Sequence, residues 1–286
     1  MKILTNPHFL LTLTSIIGLL YSLSLPNIYK SKALLVAVEN IDSGIPGGVS
    51  GIAGLAGITV PSLGGENNSS KAIPKLSSLS FFENNIMPNI FLPDLFAVKS
   101  WSSETNALVY DDNIYNKNNN TWVRDYSYPQ KQIPSVQESY KKFLEEHFSL
   151  KEDNKTGFIT LTIKHQSPYV AKSWLELIVN EVNSFYRQKD KLESEKAVIF
   201  LNQQIARTDL SEIKRVIAEL LQEKTQKLTL IEVNQSYVFE YIDAPAVMEE
   251  KSEPNRASIF FVSMFIGLLL GIIFVLSKHY FLEKKS

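Results

Sequence analysis

The chain has 286 residues, with 29 Lys and Arg against 30 Asp and Glu, a net charge of -1. That balance leaves no basic footprint for nucleic acid, and the absence of cysteine removes both a disulfide framework and a thiolate metal site. Mean hydropathy is near neutral although both ends are strongly apolar, so the middle of the chain must be polar.

Residues 9–25 form an uncharged stretch behind Lys2, broken only by Thr and Ser. The stretch predicts a membrane span entered from a short cytoplasmic start, residues 1–8. A signal peptide is the alternative, because Ser22-Leu23-Ser24 has the small-x-small form of a cleavage site. Residues 29–38 (YKSKALLVAV) predict a strand. The following segment, GIPGGVSGIAGLAGI at 44–58, has too many glycines for a stable solvated helix. It reads as a flexible loop, or as a surface for close backbone packing through Gly51, Gly54 and Gly57.

Between residues 71 and 101, Leu76, Leu79, Phe82 and Ile86 recur at helical spacing up to Pro88, with a second short turn ending near Pro93. Residues 107–134 are aromatic, Asn-rich and aperiodic, and predict an exposed loop. Ser135 and Glu138 stand in a capping-box relation and open a helix through SVQESYKKFLEEHFSL. Residues 156–164 alternate as a strand, and Ser167-Pro168 signals a helix start. No Gly or Pro follows until after 207, which predicts a rod of roughly 55 to 60 Å.

So long a rod cannot be buried throughout by a domain of this size. Its polar half has anchors at Leu192, Val198, Leu201 and Ile205, the spacing of a partner-helix seam. Asp209 with Glu212 resembles a second capping box, and Leu210, Ile213, Ile217 and Leu220 continue the pattern. The two segments form either an antiparallel hairpin or one bent rod. Residues 237–243 (YVFEYID) predict a strand whose exit is set by Pro245.

Residues 257–277 carry no charge over 21 positions, enough helix to cross about 30 Å of hydrocarbon. The Lys-rich tail, 278–286, points to the cytoplasm, so both ends are expected on one side with residues 26–256 on the other. Within the last span Ser263, Gly267 and Gly271 make a small-residue stripe suited to close helix packing, against the first span or another copy. The three strands must meet if the two anchors are neighbours.

Catalytic chemistry has no visible seat. His8, His147, His165 and His279 are scattered, Asp111-Asp112 lies in the Asn-rich loop, and neither a G-x-S-x-G elbow nor a G-x-x-x-x-G-K-[ST] phosphate loop occurs. No enzyme activity, cofactor or fused ATP-using domain is expected.

The segments LPNIYKSKALL, GIAGLAGI, LPDLFAVKSW, SPYVAKSWLELIVNEVN and YVFEYIDAPAVMEEKSEPNRA, in this order, resemble the Wzz-type chain-length determinants, the polysaccharide co-polymerases of the bacterial inner membrane. The resemblance implies an α+β fold in which two transmembrane helices flank a periplasmic base. The base comprises about 26–190 and 233–256, with a helical arm over about 190–232. It also implies a ring of identical subunits acting with a Wzy-type polymerase on a lipid-linked polysaccharide, without catalytic residues. Pro245 and Pro254 would stiffen the connector that holds the sheet above its second anchor. An adaptor coupling exopolysaccharide export is the other function carried forward.

Overall fold

The computed structural model describes residues 7–38, 68–234 and 236–283; the glycine run at 44–58 lies outside them. The first helix, α1 (Pro7–Ser24), feeds almost directly into strand β1 (Tyr29–Ala37). Helix α2 (Asn68–Leu76), helical turns over 79–89 and helix α3 (Leu92–Phe96) come next. Two hairpins follow, β2 (Val98–Ser102) with β3 (Ala107–Tyr110) and β4 (Tyr115–Asn116) with β5 (Thr121–Trp122). Helix α4 (Val136–Lys142) leads through a wide turn into β6 (Phe148–Glu152) and β7 (Ile159–His165). The long helix α5 (Pro168–Arg207), its return helix α6 (Ser211–Val233), strand β8 (Phe239–Asp243) and helix α7 (Arg256–Glu283) complete the chain.

The strands β6, β7, β1 and β8 form one antiparallel sheet in that order, so the three expected strands do meet. In β7, buried Ile159, Leu161, Ile163 and His165 alternate with half-exposed Thr160, Thr162 and Lys164, the pattern of a sheet covered on one face. The cover is α5, whose Ala171, Trp174, Leu175, Ile178, Val179 and Val182 are buried in the same core. Phe81, Phe82, Ile86, Leu95 and Phe143 close the rest of that core.

The start of α5 follows the sequence signal. Ser167 accepts a hydrogen bond from the Val170 amide, and Pro168 occupies the first turn, where its missing N–H costs nothing. Forty residues then run without a break, about 60 Å of helix.

Four expectations are corrected. Residues 107–134 are not simply a loop, because β3, β4 and β5 lie within them; Asn106 and Asn120 take positive φ angles of 48° and 52°, a conformation Asn tolerates, and so make the hairpin turns. The helix opened by Ser135 stops near His147, since Phe148 pairs with Ile163 and Leu150 with Leu161 to extend the sheet. The helical turns that begin at Leu79 do end at Ile86, before Pro88, but Pro93 sits in the first turn of helix α3 and opens it where a turn was expected to end. Helix α6 starts at Ser211 with Leu210 at its cap position and no side-chain cap bond, so Asp209 does not form the anticipated capping box.

Candidate functional site: helix pair, connector and helical arm

Helices α1 and α7 lie side by side and antiparallel. Arg256 Nε at the start of α7 donates to the Ser22 carbonyl at 3.3 Å, near the end of α1. Farther along, Gly18 faces Ser263, and Gly267 faces Thr14 and Leu11. Of the stripe read from the sequence, Gly267 and Gly271 are buried and Ser263 is half-buried. Among the described residues one helix, Arg256–Ser277, is long and apolar enough to cross a membrane; in α1 only the shorter segment Leu11–Ser24 is comparably apolar.

Hydrogen at Gly267 is what allows this approach. A Cβ there would collide with Thr14 Oγ1 and lie 3.0 Å from Leu11 Cα, and backbone cannot swing away as a side chain can. Gly267→Ile is therefore expected to separate the helices. The natural chain has no cysteine, so a disulfide engineered between α1 and α7 reports the separation. Its yield should fall at least about tenfold, while undiminished cross-linking would show that the pair does not need the glycine.

The connector between β8 and α7 is stitched near both its ends to β1 and to Ile28 just before it. Pro245 is buried, and Ser31 Oγ donates to the Ala246 carbonyl at 3.0 Å. The Ile28 amide donates to the Glu253 carbonyl at 2.9 Å, and the Ser252 amide donates to the Ile28 carbonyl at 2.8 Å. Half-buried Pro254 follows immediately. The Glu253 carboxylate lies 2.7 Å from Lys164 Nζ and 3.4 Å from Lys30 Nζ. The Lys164 hydrogen bond, above all, holds this carboxyl below the usual range. The sheet's attitude over α7 therefore depends on paired backbone and a shared carboxylate as well as on two prolines.

The arm is an antiparallel hairpin. Leu201, Val216, Ile217 and Leu220 form its buried core, with Ile205, Ile213 and Leu221 packed against them. Val198 is half-buried and outside that cluster, while Leu192 and Leu210, both anticipated in the seam, are 52% and 62% exposed. Leu210 sits in the turn between the helices, where the seam has ended, and Val216 contributes to the core in addition to the predicted set.

At the root of the arm stands Asp190, which no motif or spacing in the sequence singles out. Its Oδ2 accepts from Tyr237 OH at 2.6 Å and Asn68 Nδ2 at 3.0 Å, and lies 3.0 Å from Lys227 Nζ. Burial pushes this carboxyl up, but the bonds from Tyr237 and Lys227 outweigh burial and hold it below its ordinary value. One carboxylate thus joins α2, α5, α6 and the entry to β8. About two turns earlier, Asn183 Oδ1 accepts from the Val238 and Phe239 amides at 2.8 and 2.9 Å, and its Nδ2 donates to the Phe239 carbonyl at 2.9 Å.

Two of the scattered histidines come together. His147 and His165 lie 5.7 Å apart by ring centroid, and both pack on Trp174. The Ser167 amide donates to His165 Nδ1 at 2.9 Å, which fixes the proton on Nε2, from where it is donated to the Asp94 carbonyl at 3.0 Å. Burial lowers the pKa of His165 to about 4 and also lowers that of His147. Among the described residues no group of three or more His, Cys, Asp or Glu could hold a metal ion.

No family model and no curated protein matches this sequence. Among solved structures, this chain is similar to a full-length bacterial polysaccharide co-polymerase, at 11% identity and a TM-score of 0.39, covering 96% of this chain and 94% of that one. It is also similar to a fragment of the polysaccharide co-polymerase WzzB from Salmonella Typhimurium, at 12% identity and a TM-score of 0.35, covering 79% of this chain and all of that fragment.

Proposed function

We propose that this protein is a non-catalytic, inner-membrane regulator of polysaccharide chain length. In this reading α1 and α7 both span the bilayer, both termini are cytoplasmic, and the sheet and arm project into the periplasm. Identical subunits assemble as a ring and act with a Wzy-type polymerase on a lipid-linked glycan, O-antigen or a related polymer. The observation that carries the reading is the course of the chain. Two antiparallel apolar helices enter the sheet from one end, through β1 and through the connector, and α5, a rod about 60 Å long, covers that sheet with its first half and projects beyond it with its second. Four of the five segments that resemble the Wzz-type family support the same reading, since they fall on these parts: β1, α3 to β2, the start of α5, and β8 with the connector.

A strain lacking the gene is the test. Polymer should still be made but with a disordered length distribution on a gel of surface polysaccharide. An unchanged length profile defeats the proposal, and loss of surface polymer with accumulation inside the cell replaces it with the export-adaptor reading.

A further inference from the structure

The height of the base above the helix pair can be read from the chain. Asn27 Oδ1 accepts from Arg256 Nη2 at 3.1 Å, so Asn27 lies beside the first residue of α7. Tyr29 follows two residues later, at most about 7 Å of chain. The same level is reached from the other side, because Glu253, three residues before Arg256, bridges to Ile28. If α1 and α7 fill the hydrocarbon, Tyr29 falls in or at the edge of the headgroup layer, which is about 5 to 8 Å deep on each side.

Tyr29 is not alone at that level. Its ring centroid lies 5.4 Å from that of Trp101, on the β2–β3 hairpin, and Trp101 lies 6.1 Å from Tyr169, in the first turn of α5. Tyr169 is at this height because β7 runs back toward the helix pair and ends at His165, directly opposite Tyr29. Tyr169 is 50% exposed, and Trp101 and Tyr29 are half-exposed, although aromatic rings of this size normally gain most by full burial. Two cations share the level: Arg256 and Lys251 both donate to Asn27 Oδ1.

We infer that Tyr29, Trp101 and Tyr169 form a contact with the lipid headgroup layer, so that the β2–β3 hairpin rests on the bilayer surface and sets the tilt of the base. Trp and Tyr suit this layer because each carries an apolar ring and a polar edge, and Lys and Arg beside them meet lipid phosphates. Trp101 Nε1 donates to Asn106 Oδ1 at 2.9 Å, which holds the indole in one orientation on its hairpin. The inference rests on the reading of α1 and α7 as the membrane-embedded part, proposed above.

Tryptophan quenching in vesicles tests it. The full chain, whose tryptophans are Trp101, Trp122 and Trp174, is reconstituted in phosphatidylcholine and phosphatidylglycerol. One vesicle set carries a nitroxide on the choline headgroup, another a nitroxide halfway down the acyl chain. Headgroup quenching should exceed acyl-chain quenching, and Trp101→Phe should lower it at least about twofold while Trp122→Phe leaves it unchanged. Equal quenching in the wild type and Trp101→Phe overturns the contact, as does protection of Trp101 by added oligosaccharide without lipid quenching, which would make the corner a glycan surface. A spin label on Leu268→Cys separates the two levels of inference. A label reached by oxygen but not by a water-soluble nickel chelate, together with an unquenched Trp101, removes the lipid contact alone. A label open to the nickel chelate removes the membrane reading with it.

Discussion

Asn183→Leu is expected to destabilise the protein by about 3 to 5 kcal/mol, because a buried amide that makes three hydrogen bonds is exchanged for a side chain that makes none. Asn183 faces the outer edge of β8, the last strand of the sheet, and supplies the donor and acceptor that another strand would present there. Removing it strands two amides and a carbonyl at the base of the arm. Urea unfolding of the full chain in mild detergent measures the loss, and amide exchange locates it. Val238 and Phe239 should lose protection first, whereas a change below about 1 kcal/mol with β8 still protected would show that water replaces the amide without penalty.

Acidification should cost nearly as much. His165 has a folded pKa of about 4, depressed from 6.5 chiefly by burial, so the unfolded chain binds the proton more readily. Its stabilising contribution is complete above about pH 6.5, falls as pH drops through that value, and has fallen by about 3 kcal/mol once pH reaches the folded pKa. His147, also depressed mainly by burial, adds to the loss with the same sign. The charges near it are Glu146, which favours its protonated form, and Lys142, which opposes it. A proton on His165 Nδ1 would point at the Ser167 amide, a donor facing a donor at the first turn of α5. Unfolding midpoints at pH 7.5 and 4.5 give the slope. His165→Gln should flatten it, and an unaltered slope in that variant would assign the acid sensitivity elsewhere.

How much of this was legible depends on whether the signal is local. The start of α5 is local, since Ser167-Pro168 declares it, and the absence of Gly and Pro lets it run long without fixing where it ends. Strands β1, β7 and β8 are legible within a few residues because each alternates or is bounded by turn residues. Strand β6 is not, for Phe148 and Leu150 extend the apolar spacing of the helix before them, and only pairing with β7 makes them a strand. The small-residue stripe on α7 is visible in sequence, but its partners Gly18 and Thr14 are chosen by the antiparallel register. Asn183, Asp190 and the histidine pair are invisible for a further reason. A polar residue in a long helix looks solvated until another element arrives to cover it, and His147 and His165 meet only because β6 and β7 pair, at the open end of their hairpin.

Because α5 carries the sheet's cover and the arm's first half on one uninterrupted axis, the protein behaves mechanically as a lever whose fulcrum is the base core around Trp174 and Val182. From Tyr186, the last core side chain, to Arg207 the rod extends roughly 30 Å, so a rotation of about 5° at the sheet sweeps the free tip through some 2 to 3 Å, roughly half a helical turn. Small changes in how α1 and α7 sit against the sheet would thus be amplified at the distant end.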